Sequence, residues 1–97
     1  MRLFADKELK QELLTLDLGI VLAGDSKRYE YFLANDTDAE VVDIKLAIAH
    51  DDVKILKAPS ELIANEVGMV LIEWSPSITI KKGLKTEVTI TGAEIYS

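Results

Sequence analysis

The chain has 97 residues, no cysteine, and 17 acidic against 11 basic residues, for a formal net charge of −6. That length supports one domain, and the lack of cysteine excludes disulfides, thiolate metal sites and cysteine nucleophiles. The negative balance argues against a general nucleic-acid binder and against docking on an anionic membrane, because both draw their affinity from basic side chains.

The opening stretch, Met1-Arg2-Leu3-Phe4-Ala5-Asp6-Lys7-Glu8, has no long apolar core followed by small residues, so it does not read as a signal peptide. No apolar run approaches the roughly 20 residues of a membrane helix. The expectation is a soluble protein made in the cytoplasm. Asp6 is a plausible helix cap, Lys7 and Glu8 follow it, and Leu9 and Leu13 stand one helical turn apart. Residues 1–12 are therefore read as an N-terminal arm whose helical pattern is too short to be stable alone, so that it is either ordered against a surface or disordered in isolation. A frayed terminus is the plain alternative. Residues 13–97 are expected to form the folded domain.

From Arg28 to Ala34, Tyr29, Tyr31 and Leu33 share one face of an extended chain, while Arg28 and Glu30 share the other. Asn35-Asp36-Thr37-Asp38 is a turn signal. Val42, Ile44, Leu46 and Ile48 then alternate with Asp43, Lys45, Ala47 and Ala49. The alanines would suit a helix, but the β-branched residues favour a strand. His50-Asp51-Asp52 breaks the run, Val53-Lys54-Ile55 resumes it, and Ala58-Pro59-Ser60 ends it. Val70, Ile72 and Trp74 alternate up to Pro76, which cannot donate to a ladder. Ile78 and Ile80 predict a short piece before the Lys81-Lys82-Gly83 turn. Thr86, Val88 and Ile90 share a face of the last strand, which Gly92 is expected to close. Several short strands with a turn every 8 to 12 residues or so predict an all-β sandwich or barrel.

From Leu16 onward the order of motifs resembles the Hydin-type ASH domains, the major sperm protein domains and similar bacterial immunoglobulin-like modules. The resemblance rests on Leu18-Gly19, Gly24, the strand ending in Asn35, Ile72-Glu73-Trp74-Ser75-Pro76 and the closing Thr91-Gly92. It implies an immunoglobulin-like β-sandwich of about seven strands. Leu18 stands where the family has phenylalanine, and Asn65-Glu66 where it has proline-glycine. Gly19 and Gly24 suit a bend between sheets, and Asn35 tolerates left-handed geometry. Trp74 is expected to fill much of the core.

Chemistry is thinly represented. His50 with Asp51 and Asp52 offers one histidine and two acids in a loop, fewer than the convergent set a metal or base site requires. Asp36, Asp38 and Glu40 imitate alternate acids of a calcium loop without its glycine or distal glutamate. No catalytic residue, cofactor or metal is expected, and the protein is not expected to be an enzyme.

Interaction surfaces are better represented. Phe4, Leu9 and Leu13 are the candidate anchors of the arm, and Phe32 falls on the outer face if Tyr31 and Leu33 point inward. Lys81, Lys82 and Lys85 form the one concentrated basic patch, which reads either as a docking site or as a charged guard on a strand end. The expected function is a structural or interaction module in a multicopy protein assembly, such as a phage capsid decoration or tail accessory protein. A peptide-binding adaptor of the major sperm protein type is the alternative. A carbohydrate-binding module would need an exposed tryptophan, and Trp74 is assigned to the core.

Overall fold

The two-residue period of the sequence becomes strand pairing over most of the chain. A computed structural model describes residues 1–95, none of which is helical. The strands are β1 (Arg2–Phe4), β2 (Thr15–Gly19), β3 (Lys27–Ala34), β4 (Glu40–Ile48), β5 (Val53–Lys57), β6 (Val67–Trp74) and β7 (Leu84–Ile95). One antiparallel sheet has the order β1-β3-β6-β5 and the other the order β2-β7-β4. Only the link from β5 to β6 stays within a sheet; every other link crosses between them. The described residues form an all-β, immunoglobulin-like sandwich of seven strands.

The alternating residues supply the core. Leu33 on β3 and Val70, Ile72 and Trp74 on β6 are fully buried against Leu16 on β2. Leu18, Val41, Ile44 and Leu84 extend the same cluster from the second sheet. Trp74 is 0% exposed, and truncating a residue of that size in a core costs about 3–5 kcal/mol. Its indole N–H and the Thr86 hydroxyl are buried without a hydrogen-bond partner among the described residues.

Several details differ from the sequence expectation. The first is the arm, whose opening residues form β1, paired with β3 from Arg2 opposite Ala34 to Phe4 opposite Phe32. Asp6 does cap, but it caps a loop. Its carboxylate accepts the N–H of Lys10 at 3.0 Å and that of Gln11 at 2.8 Å, four and five residues on. A helix N-cap reaches two or three residues on, so this bonding closes a loop where a helix was expected. Leu9 takes a φ of 59°, which stops any helical turn. The chain then returns through a bridge between Phe4 and Glu12 and a bond from the Leu13 N–H to the Leu3 carbonyl at 2.8 Å.

In β4 the inward set changes partway. The register against β7 shifts between Val42 and Lys45, where Asp43 adopts a φ of 53°. This bulge turns Val41 and Ile44 inward together and leaves Val42 half-buried, which strict alternation does not predict. Ile78 and Ile80 form no strand; the chain bends there and Ile78 is exposed. Gly92 does not end the last strand, since β7 runs on and pairs Ile95 with Glu40. Gly92 instead marks a close approach, because an added Cβ would lie 2.6 Å from Val41 Cγ1.

Asn35 is not left-handed either; the asparagine with positive φ is Asn65, at 62°. Asn35 is buried, and its amide nitrogen lies 2.8 Å from the Ala39 carbonyl, 3.1 Å from that of Leu62 and 3.0 Å from that of Ile63, donating to this set. Its oxygen accepts from the Thr37 N–H at 3.1 Å and the Thr37 hydroxyl at 2.7 Å. One side chain thus joins the β3–β4 turn to the β5–β6 loop.

Candidate interaction surfaces

Strand β3 divides its side chains cleanly. On the inner face the Tyr29 and Tyr31 rings stack with centroids 6.5 Å apart, and the Tyr29 hydroxyl donates to the Leu18 carbonyl at 2.6 Å. Burial raises both phenols, with smaller contributions from Asp17, and pushes Tyr31 up to about 12 with Tyr29 adding to the effect. The Lys27 ammonium sits 5.2 Å from the Tyr29 ring centre.

On the outer face, Phe32 lies in register between Phe4 of β1 and Met69 of β6. The row above holds Ala34 between Arg2 and Val67, and the row below pairs Glu30 with Leu71. A sheet exposes such a row to water unless something covers it. Here the loop after β1 covers part of it. Phe4 is 7% exposed yet lies outside the inter-sheet core cluster. Between that loop and the sheet runs a groove of about 550 Å³, lined by Lys7, Glu30, Phe32, Val67 and Met69. Its floor is apolar, and its two charged residues have opposite sign. The chemistry suits an apolar side chain arriving with a polar flank.

The structure separates the expected anchors. Phe4 is buried, Leu13 packs against the core cluster and Leu9 is half-buried in the loop. The arm therefore does not project as a docking peptide; it shapes the surface beside Phe32. The reason is pairing. Once Leu3 and Phe4 bond to β3, their side chains are committed to the two faces of the sheet.

The basic patch also divides. Lys81 and Lys82 occupy an exposed turn closed by the Gly83 N–H on the Ile80 carbonyl at 3.0 Å. Among the described residues neither lysine pairs with an acid. Lys85 stands on β7 opposite Asp17, exposed on the outer face of the other sheet.

Sequence reasoning missed a feature at the end of the sandwich beside that turn. Ile20 and Leu22 in the β2–β3 loop and Ile78 in the β6–β7 loop are exposed, Ile78 by 69%. The two loops are tied together: the Ala23 N–H donates to Thr79 Oγ1 at 2.9 Å, and the Ser26 and Ser75 hydroxyls meet at 2.8 Å. The available signal was that Gly19, Gly24 and Pro76 interrupt the strands around these three large aliphatics.

Two of the acids singled out in the sequence, Asp52 and Asp36, have local partners. His50 Nδ1 accepts the Asp52 N–H at 3.2 Å, and the Asp52 carboxylate accepts the Ser77 N–H at 3.2 Å and hydroxyl at 3.1 Å. Asp36 pairs with Arg2 at 3.0 Å. Among the described residues no three His, Cys, Asp or Glu side chains converge as metal ligands would, and no helix is long and apolar enough to cross a membrane.

Comparison with known proteins returns no match to a family model, to a curated protein or to a solved structure.

Proposed function

We propose that the chain is a non-catalytic interaction module that docks into a larger protein assembly through the outer face of the β1-β3-β6-β5 sheet. The observation that carries this reading is the groove at Phe32, where aromatic and aliphatic side chains floor an opening that the β1 loop walls on one side. A sheet face facing only water would be expected to be polar. The sandwich is the rigid body that holds the groove in shape.

The setting we propose is a phage particle, with the chain as a capsid decoration or tail accessory protein. Support for this step is analogy from size, acidity, the lack of cysteine and the resemblance to ASH-type modules. Repeated copies in such a particle convert weak single contacts into avidity. The rival reading, a major sperm protein-like adaptor for acidic peptides, calls for a basic face. The outer face of β3 instead carries Glu30, and its Arg28 is paired with Glu73 at 3.0 Å. Charge favours the first reading.

A photo-crosslinking residue at position 32 tests it in the full chain, within the particles or cells that carry the protein. Irradiation should yield one discrete cross-linked protein species, whereas the same residue at Ala47, exposed on the opposite sheet, should yield none. No product from position 32, or equal products from both positions, would overturn the proposal.

A further inference from the structure

We infer that two copies of this chain pair edge to edge along the second half of β7, antiparallel about a twofold axis at Gly92, so that their smaller sheets run on as one. This edge belongs to the sheet opposite the Phe32 groove, and the inference stands independently of that groove.

Strand lengths leave the edge open. β7 has 12 residues and β2 has 5. Their pairing runs only from Leu84 to Glu87. The chain ahead of β2 belongs to the other sheet, where the Leu13 N–H bonds to the Leu3 carbonyl. From Val88 onward β7 therefore has β4 on one side and, among the described residues, no strand on the other.

Alternate residues of an antiparallel strand aim both backbone groups at the same neighbour. The Ala49 N–H donates to the Glu87 carbonyl at 3.2 Å, so Glu87, Thr89 and Thr91 aim at β4. Past the bulge Val41 exchanges its bonds with Leu62, which leaves Val42 to face Ala93. The N–H and C=O groups of Val88, Ile90 and Gly92 thus point out of the sheet edge. Among the described residues nothing bonds to them there.

The other edges are guarded. β1 is covered by the returning chain at Glu12 and Leu13. β5 carries Lys54 and Lys57 and breaks register between Ile55 and Lys57. β4 is bulged at Asp43 and bonded outward to Ser60 and Leu62. β2 is short and irregular between Asp17 and Gly19. Charge, irregularity and cover are the devices by which sheets avoid edge pairing. From Val88 to Ala93, β7 has no charged residue, no proline and no positive φ. Its Val-Thr-Ile-Thr run is strongly strand-forming.

An open backbone edge takes an extended strand, and the strand that fits is β7 itself. In each copy it is already extended and held by β4, so it avoids the ordering cost that a disordered peptide bears. The length fits as well. Continuing the β2 register by one residue puts Leu14 beside Val88, so the free stretch runs from Thr89 to Ile95, with Gly92 at its midpoint. With Gly92 opposite its own copy, Thr91 falls opposite Ala93, and Ile95 of each molecule arrives next to Leu14 of the other. These two side chains are 48% and 81% exposed, and the pairing covers both at each end of the contact. It also completes the cover of Val88 and Ile90, which the core leaves half-buried. A contact of this length lies at the small end of specific interfaces, so the dimer is reversible.

Sedimentation velocity on the full chain tests the inference. Wild type should show a monomer–dimer equilibrium that stops at the dimer, because a twofold contact is closed. Each molecule carries a net charge of −6, so added salt should strengthen the dimer by screening their repulsion. Thr91→Lys with Ala93→Lys sets like charges opposite each other at exposed positions. It should weaken dimerisation roughly tenfold or more while leaving the thermal midpoint of dilute protein unchanged. Thr91→Lys with Ala93→Glu sets opposite charges face to face and should restore the dimer. Thr91→Cys and Ala93→Cys variants, mixed and oxidised, should form a disulfide heterodimer, since such a pair brings Cα atoms to about 4.5 Å. Neither variant alone should cross-link to a comparable extent, and the chain has no other cysteine. A wild type that is monomeric at every concentration overturns the inference, as do a double-lysine variant that dimerises like wild type and a mixture that yields no heterodimer. A photo-crosslinking residue at position 91 that captures a different protein, and no second copy, would assign the edge to another chain's strand and overturn it too.

Discussion

The two ends of this sandwich are held by opposite means. At the end where β3 meets β4, one buried amide, that of Asn35, bonds backbone from two separate loops. At the other end, the β2–β3 and β6–β7 loops are joined by exposed hydroxyls, and large aliphatics face water. A buried polar group contributes strongly because its partners have no water to turn to when it is lost. An exposed hydroxyl contributes little because water replaces it. The first end is thus a structural fixture, and the second is free to carry side chains chosen for another surface.

That contrast is easiest to break at Asn35. Asn35→Ala removes one of the donors to the carbonyls of Ala39, Leu62 and Ile63 and the acceptor of the Thr37 N–H, and should cost about 3 kcal/mol of unfolding free energy, read from urea unfolding. A loss below about 1 kcal/mol would show the two ends to be equivalent.

Between the ends lies Tyr31, whose phenol is pushed up to about 12 by burial. Its folded value exceeds the unfolded one, near 10, so the neutral form is the one the fold stabilises. That stability is complete below about pH 10 and is lost as pH rises toward about 12, a fall of about 2 kcal/mol once screening by solvent is allowed for. Tyr31→Phe should remove most of this alkaline decline, which a pH series of thermal midpoints would record.

Gly92→Ala tests the close approach between β7 and β4, since the new methyl would meet Val41 at 2.6 Å. Overpacking there should lower stability by about 2 kcal/mol. Thr86 offers the counterpart to Asn35, a buried polar group with no partner among the described residues. Thr86→Val keeps the shape and removes the stranded hydroxyl, so it should raise stability by about 1 kcal/mol. Smallest of all is the exposed end, where Ile78→Ser should move the thermal midpoint by no more than about 0.5 kcal/mol in equivalent free energy. A large loss there would mean that the tip supports the fold.

Much of the fold was legible in the residues. Strands β3 and β6 follow the two-residue period because they sit side by side in the interior of one sheet, with one face on the core and the other turned outward. The outward position of Phe32 followed from the same rule. The β4 bulge was not legible, because Asp43 in a left-handed conformation looks like any other polar residue in an alternating run. Nor was β1, since three residues are too few to show a period. The groove was hidden for a different reason. Its residues come from the loop after β1, from β3 and from β6, and only strand pairing brings them together.

The sequence by itself determined that this chain is all-β, that Trp74 is interior and that no cysteine chemistry operates, because these follow from side-chain identity and a period of two. Tertiary structure alone decided that the arm is a strand and not a helix, that Gly92 is a crossing point and not an end, and that Phe32 lies in a walled groove. Those outcomes depend on which distant backbone supplies the hydrogen bonds and which distant side chain occupies the space. Neither quantity is written in any local stretch of residues.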